Sequence, residues 1–493
     1  MSELDADLFD PYRYALELDH KVLTEAILKQ YDDKILFYSD LGANILSTCT
    51  IQMARAKSCR EKVKMKGYYP PALRTTLKLS MEKPVYYCKA ESSITPANHL
   101  SLSRKQKQIK RMVLKKFNES VNNNTTFHCL IQAPCGAGKT AIIVDIICKL
   151  NLKTIIIVNK KVLVAHWEKH FSNSIGSYEG CKKLMTLLDG EVLESDVNPD
   201  VLIAIDKHLA NPSFCQLLHK KGYSLMVIDE IDLWNLNSHT SLSEFLMKMC
   251  LPVTIHTTAT PRKDNKINYG EVFVGDHPDG FEMLKRYVIE YSSKEIDNIL
   301  VTRNNDTKND YILNPERNAT IIKCALDYVD ECKIIFTEKR DHMDILFNNL
   351  VENYHRQGFV RVEPDTPKYN RIEARFTKND KVYILAKGDA ELPGIQDYLS
   401  EANRYDIFTL VTTTFLCSSG INLPKVVSVL YTPLNSKEST VIQSAGRCER
   451  APYSSERKFF VFRQGLATAP NIKKSILDIK TVLQANNWNV IVN

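Results

Sequence analysis

Residues 127 to 150 constrain the fold more tightly than any other stretch. An apolar run, Phe127 to Ile131, enters a loop holding Gly136 and Gly138, passes Lys139 and Thr140, and leaves as a mostly apolar segment from Ala141 to Leu150. Strand, glycine-rich loop and helix in that order make a phosphate-binding loop. Glycines let successive backbone N–H groups curl around an anion with no Cβ in the way, and the helix N-terminus adds the positive end of its dipole. The loop predicts ATP and Mg²⁺ as ligands. Ala133, Pro134, Cys135, Gly136, Ala137 and Gly138 would line the phosphates, Lys139 would reach the β and γ phosphates, and the Thr140 hydroxyl would ligate Mg²⁺. The strict pattern opens on glycine, where this chain has Ala133.

With 493 residues the chain is too long for one hydrophobic core, so two or three domains are expected. A formal charge of +7 permits a polyanionic partner without requiring one. The 13 cysteines are scattered with no Cys-x-x-Cys pair, which argues against structural zinc and a disulfide framework and for a reducing compartment. The N-terminus is acidic and lacks a signal-peptide core, and no run nears the roughly 18 apolar residues of a membrane span. A soluble intracellular protein with no membrane partner is expected.

Strand-like runs alternate with helical segments on both sides of the chain's middle, the pattern of parallel α/β sheets. In the first half the runs are Thr154 to Val158, Val201 to Ile205, Ser224 to Ile228 and Thr254 to Pro261, with a helix expected near 159–167. Residues 302 to 310 are polar without periodicity and read as a linker. Beyond it, Asn314-Pro315 supplies an N-cap and first-turn proline, and Lys333 to Phe336, Ile407 to Thr412 and Val426 to Tyr431 are further strands. The expected division is an accessory α+β region over 1–98, an ATP-binding α/β domain over 99–300 and a second over 311–493.

The accessory region says least. Tyr12 to Gln30 has the spacing of an amphipathic helix. A basic cluster, Arg55, Lys57, Arg60, Lys62, Lys64 and Lys66, runs into Gly67-Tyr68-Tyr69-Pro70-Pro71. Basic residues beside aromatics suit a nucleic-acid backbone and its bases, and equally a solvated face before a turn.

Two carboxylates carry the chemistry of the first half. Asp229 and Glu230 follow a buried strand, at the end where parallel sheets bind ligands. Asp229 would hold Mg²⁺ and Glu230 would act as general base on the attacking water. In the second half, Gln443 to Arg450 places Arg447 and Arg450 three apart on one expected helix face. A permanently charged planar fork suits a γ-phosphate whose charge shifts in the transition state, whereas alone such a pair is usually a surface salt-bridge helix.

Taken together, Ala-x-x-Gly-x-Gly-Lys-Thr (133 to 140), Asp-Glu-x-Asp (229 to 232), Thr-Ala-Thr-Pro (258 to 261), Gly-Ile-Asn-Leu-Pro (420 to 424) and Gln-x-x-Gly-Arg-x-x-Arg (443 to 450) resemble, in order, the motifs of superfamily two helicases over about residues 100 to 465. Lys66-Gly-Tyr-Tyr, Lys207-His-Leu and Trp234-Asn-Leu-Asn make the chain most similar to helicases of large cytoplasmic DNA viruses, the poxvirus transcript-release DNA helicases among them. The resemblance implies two tandem RecA-like domains with ATP between them, and adds Gln106 as an adenine reader and Gly420 and Gln443 as site residues. It also implies a DNA-dependent ATPase and helicase in viral transcription termination, acting on a viral RNA polymerase elongation complex in the virion and infected-cell cytoplasm. Loops near 159–161, Lys207, Thr258 to Thr260 and Thr412 to Thr414 would contact the strand. Asp232 and Asn422 depart from the family's frequent histidine and aspartate, which bears on how hydrolysis couples to movement. The alternatives are an RNA helicase and a translocase that remodels complexes without unwinding.

Overall fold

The computed structural model describes residues 101–171, 184–188, 198–234, 251–262, 269–291, 312–363, 372–388, 407–414, 423–450, 455–462 and 470–492, with short strands and single positions elsewhere. Its contacts divide the chain into two units, Met1–His277 and Pro278–Asn493.

Near the N-terminus, β1 (Tyr14–Leu18) pairs antiparallel with β2 (Val63–Gly67) and β3 (Ser80–Met81). A strand therefore occupies part of the stretch where helical spacing predicts a helix. Periodicity within a few residues cannot say whether a distant partner will pair with them. Lys64 and Lys66 of the basic cluster lie in β2; its remaining basic residues fall outside the described residues.

The first unit's main sheet is parallel. It comprises β4 (Phe127–Gln132), β5 (Thr154–Val158), β6 (Leu184–Leu187), β7 (Val201–Ile205), β8 (Leu225–Ile228), β9 (Val253–Thr258) and β10 (Glu271–Val274), in the order β10-β4-β9-β8-β5-β7-β6. Helix α1 (Arg104–Asn122) precedes β4, and between the strands run α2 (Lys139–Leu150), α3 (Lys161–His170) and α4 (Pro212–Lys220). β5 and β7 are buried at every position, which is why they read as unbroken apolar runs rather than alternations. Cys129, Ile131, Ile156 and Val227 pack on one face with residues of α1, α2 and α3, while Leu130, Ile157, Met226 and Ile228 pack on the other with Phe214 and Leu218 of α4. The segment leading into this unit joins the same core. Ala90 and Ile94 are buried in it, and the Ala90 N–H donates to the Asn151 carbonyl at 2.9 Å. The first α/β body thus recruits residues from before position 99.

The second unit's sheet holds β11 (Arg286–Tyr291), β12 (Lys333–Thr337), β13 (Val360–Val362), β14 (Glu373–Lys378), β15 (Lys381–Gly388), β16 (Ile407–Thr413), β17 (Ser428–Tyr431), β18 (Arg457–Phe462) and β19 (Asn489–Val492). Their order is β13-β14-β15-β16-β12-β17-β18-β11-β19, parallel from β15 to β19 and antiparallel among β13, β14 and β15. Helices α5 (Pro315–Asp327), α6 (Arg340–Arg356), α7 (Glu438–Ala445) and α8 (Pro470–Ala485) accompany it. Asn314 caps α5 by accepting from the Arg317 N–H at 3.0 Å, with Pro315 in the first turn. β11 precedes the polar 302–310 stretch yet inserts between β18 and β19, so residues before 300 belong to the second sheet. Each unit is an α/β, RecA-like body.

Candidate nucleotide site and arginine turn

In the first unit, the sheet order brings the C-terminal ends of β4, β9 and β8 side by side. Those ends carry the phosphate loop, the Thr258 to Thr260 stretch and the Asp229-Glu230 pair.

Gly136 and Gly138 take left-handed backbone angles, with φ of 79° and 76°. Gly138 is also the N-cap of α2, with no side chain capping it, so the first-turn N–H groups remain available to an anion. A Cβ on Gly138 would come within 2.3 Å of the Gln106 amide nitrogen. Ala133, where the strict pattern has glycine, needs no special angle. It is buried, and its N–H donates to the Thr258 carbonyl at 3.1 Å, extending the β4–β9 ladder. Its carbonyl accepts from Lys139 Nζ at 3.1 Å. Lys139 is buried at the base of the loop, where a neutral carbonyl is a weaker partner than a phosphate oxygen. Pro134, Cys135 and Ala137 complete the loop, and Thr140 follows in the first turn of α2.

Gln106 is half-buried in the first turn of α1. It forms a capping box with Ser103, its Oε1 accepting from the Ser103 N–H at 2.8 Å, and its Nε2 donates to the Ala137 carbonyl at 2.9 Å. The structure thus gives Gln106 a bracing contact with the phosphate loop.

Asp229 is buried, and its carboxylate accepts from three donors. Thr257 Oγ1 lies 2.6 Å from Oδ1, the Glu230 N–H 3.1 Å from Oδ1, and Trp167 Nε1 2.9 Å from Oδ2. Glu230 holds a left-handed backbone, φ 52° and ψ 52°, an angle uncommon for a residue with a side chain and typical of sites where surroundings over-determine the backbone. Asp232 accepts from Thr258 Oγ1 at 2.5 Å and Thr260 Oγ1 at 3.0 Å. An aspartate in this slot therefore ties the acidic motif to the threonine motif through two hydroxyls. Burial raises Asp232 above the usual carboxylate range, against the pull of those hydroxyls and of Lys139.

The donor set fits Mg²⁺ and a nucleoside triphosphate. An uncapped helix start, left-handed glycines, one buried lysine, a hydroxyl at Thr140 and a hydrogen-bonded carboxylate suit a polyphosphate with a hard cation.

Some expected strand contacts are placed otherwise. Thr258 and Thr412 are fully buried, their hydroxyls spent on Asp232 and on the Gly388 carbonyl (2.7 Å), because a threonine at the end of a covered strand must satisfy its hydroxyl inward. Lys160 is buried too, whereas Lys207 is exposed. Beside Lys207 lies a cavity of about 410 Å³ lined by Asp206, Ala210, Trp234, Ser241 and Leu242, where Trp234 Nε1 donates to Asp206 Oδ2 at 3.2 Å.

In the second unit, α7 ends at Ala445. Arg447 and Arg450 therefore stand in the turn that follows, not on one helix face. Gly446 weakens helical continuation, and beyond it the backbone is held by buried Arg457. Its Nε donates to the Cys448 carbonyl and its Nη2 to the Arg450 carbonyl at 2.9 Å. Arg286 pairs with Glu449 at 3.0 Å and donates to the Asn486 carbonyl at 3.2 Å. Burial raises Glu449, with Arg286 opposing. Gln443 and Arg447 are buried, and Arg450 is partly exposed. Gly420 and Asn422 fall outside the described residues.

Sequence patterning did not reveal Trp167, Thr257, Arg457 or Arg286. A buried indole must find an acceptor, but nothing local names which one.

The family model described as "Type III restriction enzyme, res subunit" matches residues 99–263. Transcript termination protein A18 of Fowlpox virus (strain NVSL) is 24% identical over 401 residues, covering 77% of this chain and 77% of its own. That of Vaccinia virus (strain Ankara) is 23% identical over 419 residues, covering 80% and 78%. The solved Mycobacterium smegmatis helicase Lhr bound to ssDNA and AMP-PNP aligns over 77% of this chain and 50% of its own, with 14% identity and a TM-score of 0.49. With its nucleotide motifs in order along the chain, this protein is a helicase, an ATP-binding nucleic-acid-dependent ATPase, related to the poxvirus transcript termination proteins.

Proposed function

We propose that the chain is an ATP-driven motor on DNA that acts in viral transcription termination, releasing nascent RNA from a polymerase elongation complex. The observation that carries this reading is the placement, at one sheet end, of Lys139 and Thr140 with Asp229, Glu230, Asp232 and the Thr258–Thr260 pair, with direct hydrogen bonds tying Thr257 to Asp229 and Thr258 and Thr260 to Asp232. The named activity of the poxvirus relatives supplies the biological setting. That setting points to the infected-cell cytoplasm and the packaged virion. Among the described residues no helix is long and apolar enough to cross a membrane.

In this reading the ATP phosphates would lie on the backbone N–H groups of Gly136 and of Gly138 to Thr140, and Lys139 would leave the Ala133 carbonyl for a phosphate oxygen. Thr140 and Asp229 would hold Mg²⁺, which would supply positive charge to offset that of the phosphates. Glu230 takes a proton from water as its oxygen attacks the γ-phosphorus. The bond to the bridging oxygen breaks, ADP and phosphate leave, and the proton passes on to phosphate or solvent. Arg447 and Arg450 would offset the charge that develops on the transferred group. Gln106 braces the loop and reads the adenine edge. Asp232, by gripping Thr258 and Thr260, ties the acidic motif to the loop that tracks the strand. Contacts of lysines and loop N–H groups with phosphates predict weak sequence preference and steep loss of binding with salt.

Phosphate release should be measured with single-stranded DNA, duplex DNA and RNA, followed by strand displacement. Stimulation by DNA over RNA, with turnover lost in Lys139→Ala, is expected. Stimulation by RNA alone would replace DNA as the track, and DNA-stimulated turnover without displacement would make the protein a translocase.

A further inference from the structure

The best-defined network outside the residues assigned above surrounds the Asp229 carboxylate. Trp167 is fully buried on α3 and packs in the core face shared by α1, α2 and α3. Its Nε1 donates to Asp229 Oδ2 at 2.9 Å across 62 positions of sequence. Thr257, also fully buried, is the next-to-last residue of β9, and its hydroxyl donates to Oδ1 at 2.6 Å. The Glu230 N–H takes a second site on Oδ1. An ionised carboxylate offers about four acceptor sites. Three are occupied here by donors fixed on a helix, a strand and the backbone, so the remaining one, on Oδ2, has a set direction. Its direction depends on where the indole sits, and the indole moves only with α3. That helix begins at Lys161, at the end of the 159–161 loop offered above to the strand.

We propose that Trp167 and Thr257 are positioning residues for the metal-holding carboxylate, and that Trp167 makes the aim of Asp229 depend on the seating of α3. Thr257 is a static clamp, because its strand lies in the middle of the sheet between β4 and β8. Trp167 is the conditional one. Polymer engaged at the start of α3 stabilises the helix position in which Oδ2 faces the metal, and this is one physical route by which the track accelerates hydrolysis. The inference rests on Asp229 holding Mg²⁺, as proposed above.

The test uses the full chain with Trp167→Phe, which deletes the N–H while keeping an aromatic ring, Thr257→Val, which deletes the hydroxyl at nearly constant volume, and Thr257→Ser, which restores it. Mg²⁺-dependent binding of a non-hydrolysable ATP analogue is titrated by calorimetry, and initial ATPase rates are titrated with Mg²⁺ with and without DNA; the Mg²⁺ midpoint is read from both. The Trp167→Phe and Thr257→Val variants should each need about tenfold more Mg²⁺ for half-maximal rate, the scale seen when a partner of a metal-ligating group is removed. Thr257→Ser should return to the wild-type midpoint. Trp167→Phe should also lower the ratio of DNA-stimulated to basal rate at saturating Mg²⁺, while Thr257→Val leaves that ratio unchanged. A role confined to packing would lower thermal stability and maximal rate without moving the Mg²⁺ midpoint. Should Trp167→Phe misfold, Thr257→Val against Thr257→Ser still decides the positioning claim. An unshifted midpoint in Thr257→Val, or in a folded Trp167→Phe, overturns it; equal stimulation ratios in the two variants overturn the link to α3. Asp229→Asn separates this from the parent reading: turnover surviving in that variant removes the metal assignment itself, whereas its loss beside unshifted Trp167 and Thr257 variants removes the present inference alone.

Discussion

In the first unit an acid, Asp229, is held by neutral donors: an indole N–H, a hydroxyl and a backbone N–H. In the second unit a turn bearing two arginines is held by further cations, with Arg457 on the carbonyls of Cys448 and Arg450 and Arg286 on Glu449. Neutral donors fix a carboxylate without cancelling its charge, so the charge remains available to a cation. Guanidinium groups that bind carbonyl oxygens likewise order a backbone without consuming positive charge, and the region stays attractive to an anion. At the arginine turn the Arg286–Glu449 ion pair adds order as well, beside guanidinium contacts to carbonyl oxygens that leave positive charge in place. The comparison teaches that ordering and charge are separable, and that each unit keeps the sign of charge it presents.

The largest expected effect tests the cationic side. Arg447→Ala and Arg450→Ala should each lower turnover by about a thousandfold or more, the scale of a transition-state arginine, with nucleotide binding near wild type. Either variant with ordinary phosphate release would leave that side without a catalytic role. On the acidic side, Glu230→Gln should lower turnover by about 10² to 10⁴ while ATP still binds, since only the proton acceptor is gone. Unchanged phosphate release there would reassign the base.

A smaller effect sharpens the contrast in how the two sites are held. Arg457→Lys keeps the charge and loses the fork, exposing at least one buried carbonyl at a cost of about 1 to 3 kcal/mol. Chemical denaturation should register that loss, and turnover should fall with ATP binding unaltered. The opposite split, with binding lost and turnover per bound nucleotide kept, would contradict a role centred on the arginine turn.

The smallest effect is a difference in acid tolerance. Burial, and then the charge of Arg317, lowers His342 from 6.5 to about 3, and its ring nitrogen lies 2.9 Å from Asn318 Oδ1. The unfolded chain takes up a proton that the native state refuses, so this group's contribution to stability is intact above 6.5 and is lost as pH falls from 6.5 toward about 3. Hydrogen exchange across β12 and β16 should show the loss, and His342→Gln should flatten it. A pH-independent wild type would show that the histidine is not held neutral.

Legibility from the chain differed by region for physical reasons. The phosphate loop and Asp229-Glu230 were readable because each is a contiguous stretch whose local backbone is most of the site. The parallel strands were readable where burial on both faces leaves unbroken apolar runs, as at β5 and β7. β11 was not assigned to its sheet, since its partners β18 and β19 lie more than a hundred residues away. Helical spacing also extended α7 through Arg450, because nothing local signals that the chain tightens after Ala445, where the Arg447 and Cys448 N–H groups donate to the Ser444 and Ala445 carbonyls. The strand at Tyr14–Leu18, within a stretch of helical spacing, is a further case of pairing overriding local pattern.

By itself the sequence determined the inventory: a glycine-rich loop before a helix, an adjacent Asp-Glu pair, a threonine motif and an arginine pair, each encoded within a few neighbouring residues. Only the tertiary structure decided who holds these groups. Trp167 on Asp229, Thr258 and Thr260 on Asp232, Gln106 on the loop, and Arg457 beneath the arginine turn join positions up to 62 residues apart. A hydrogen bond between remote residues leaves no periodicity in either segment. Its partners are set by which strands lie adjacent and by the demand that each buried polar atom be satisfied.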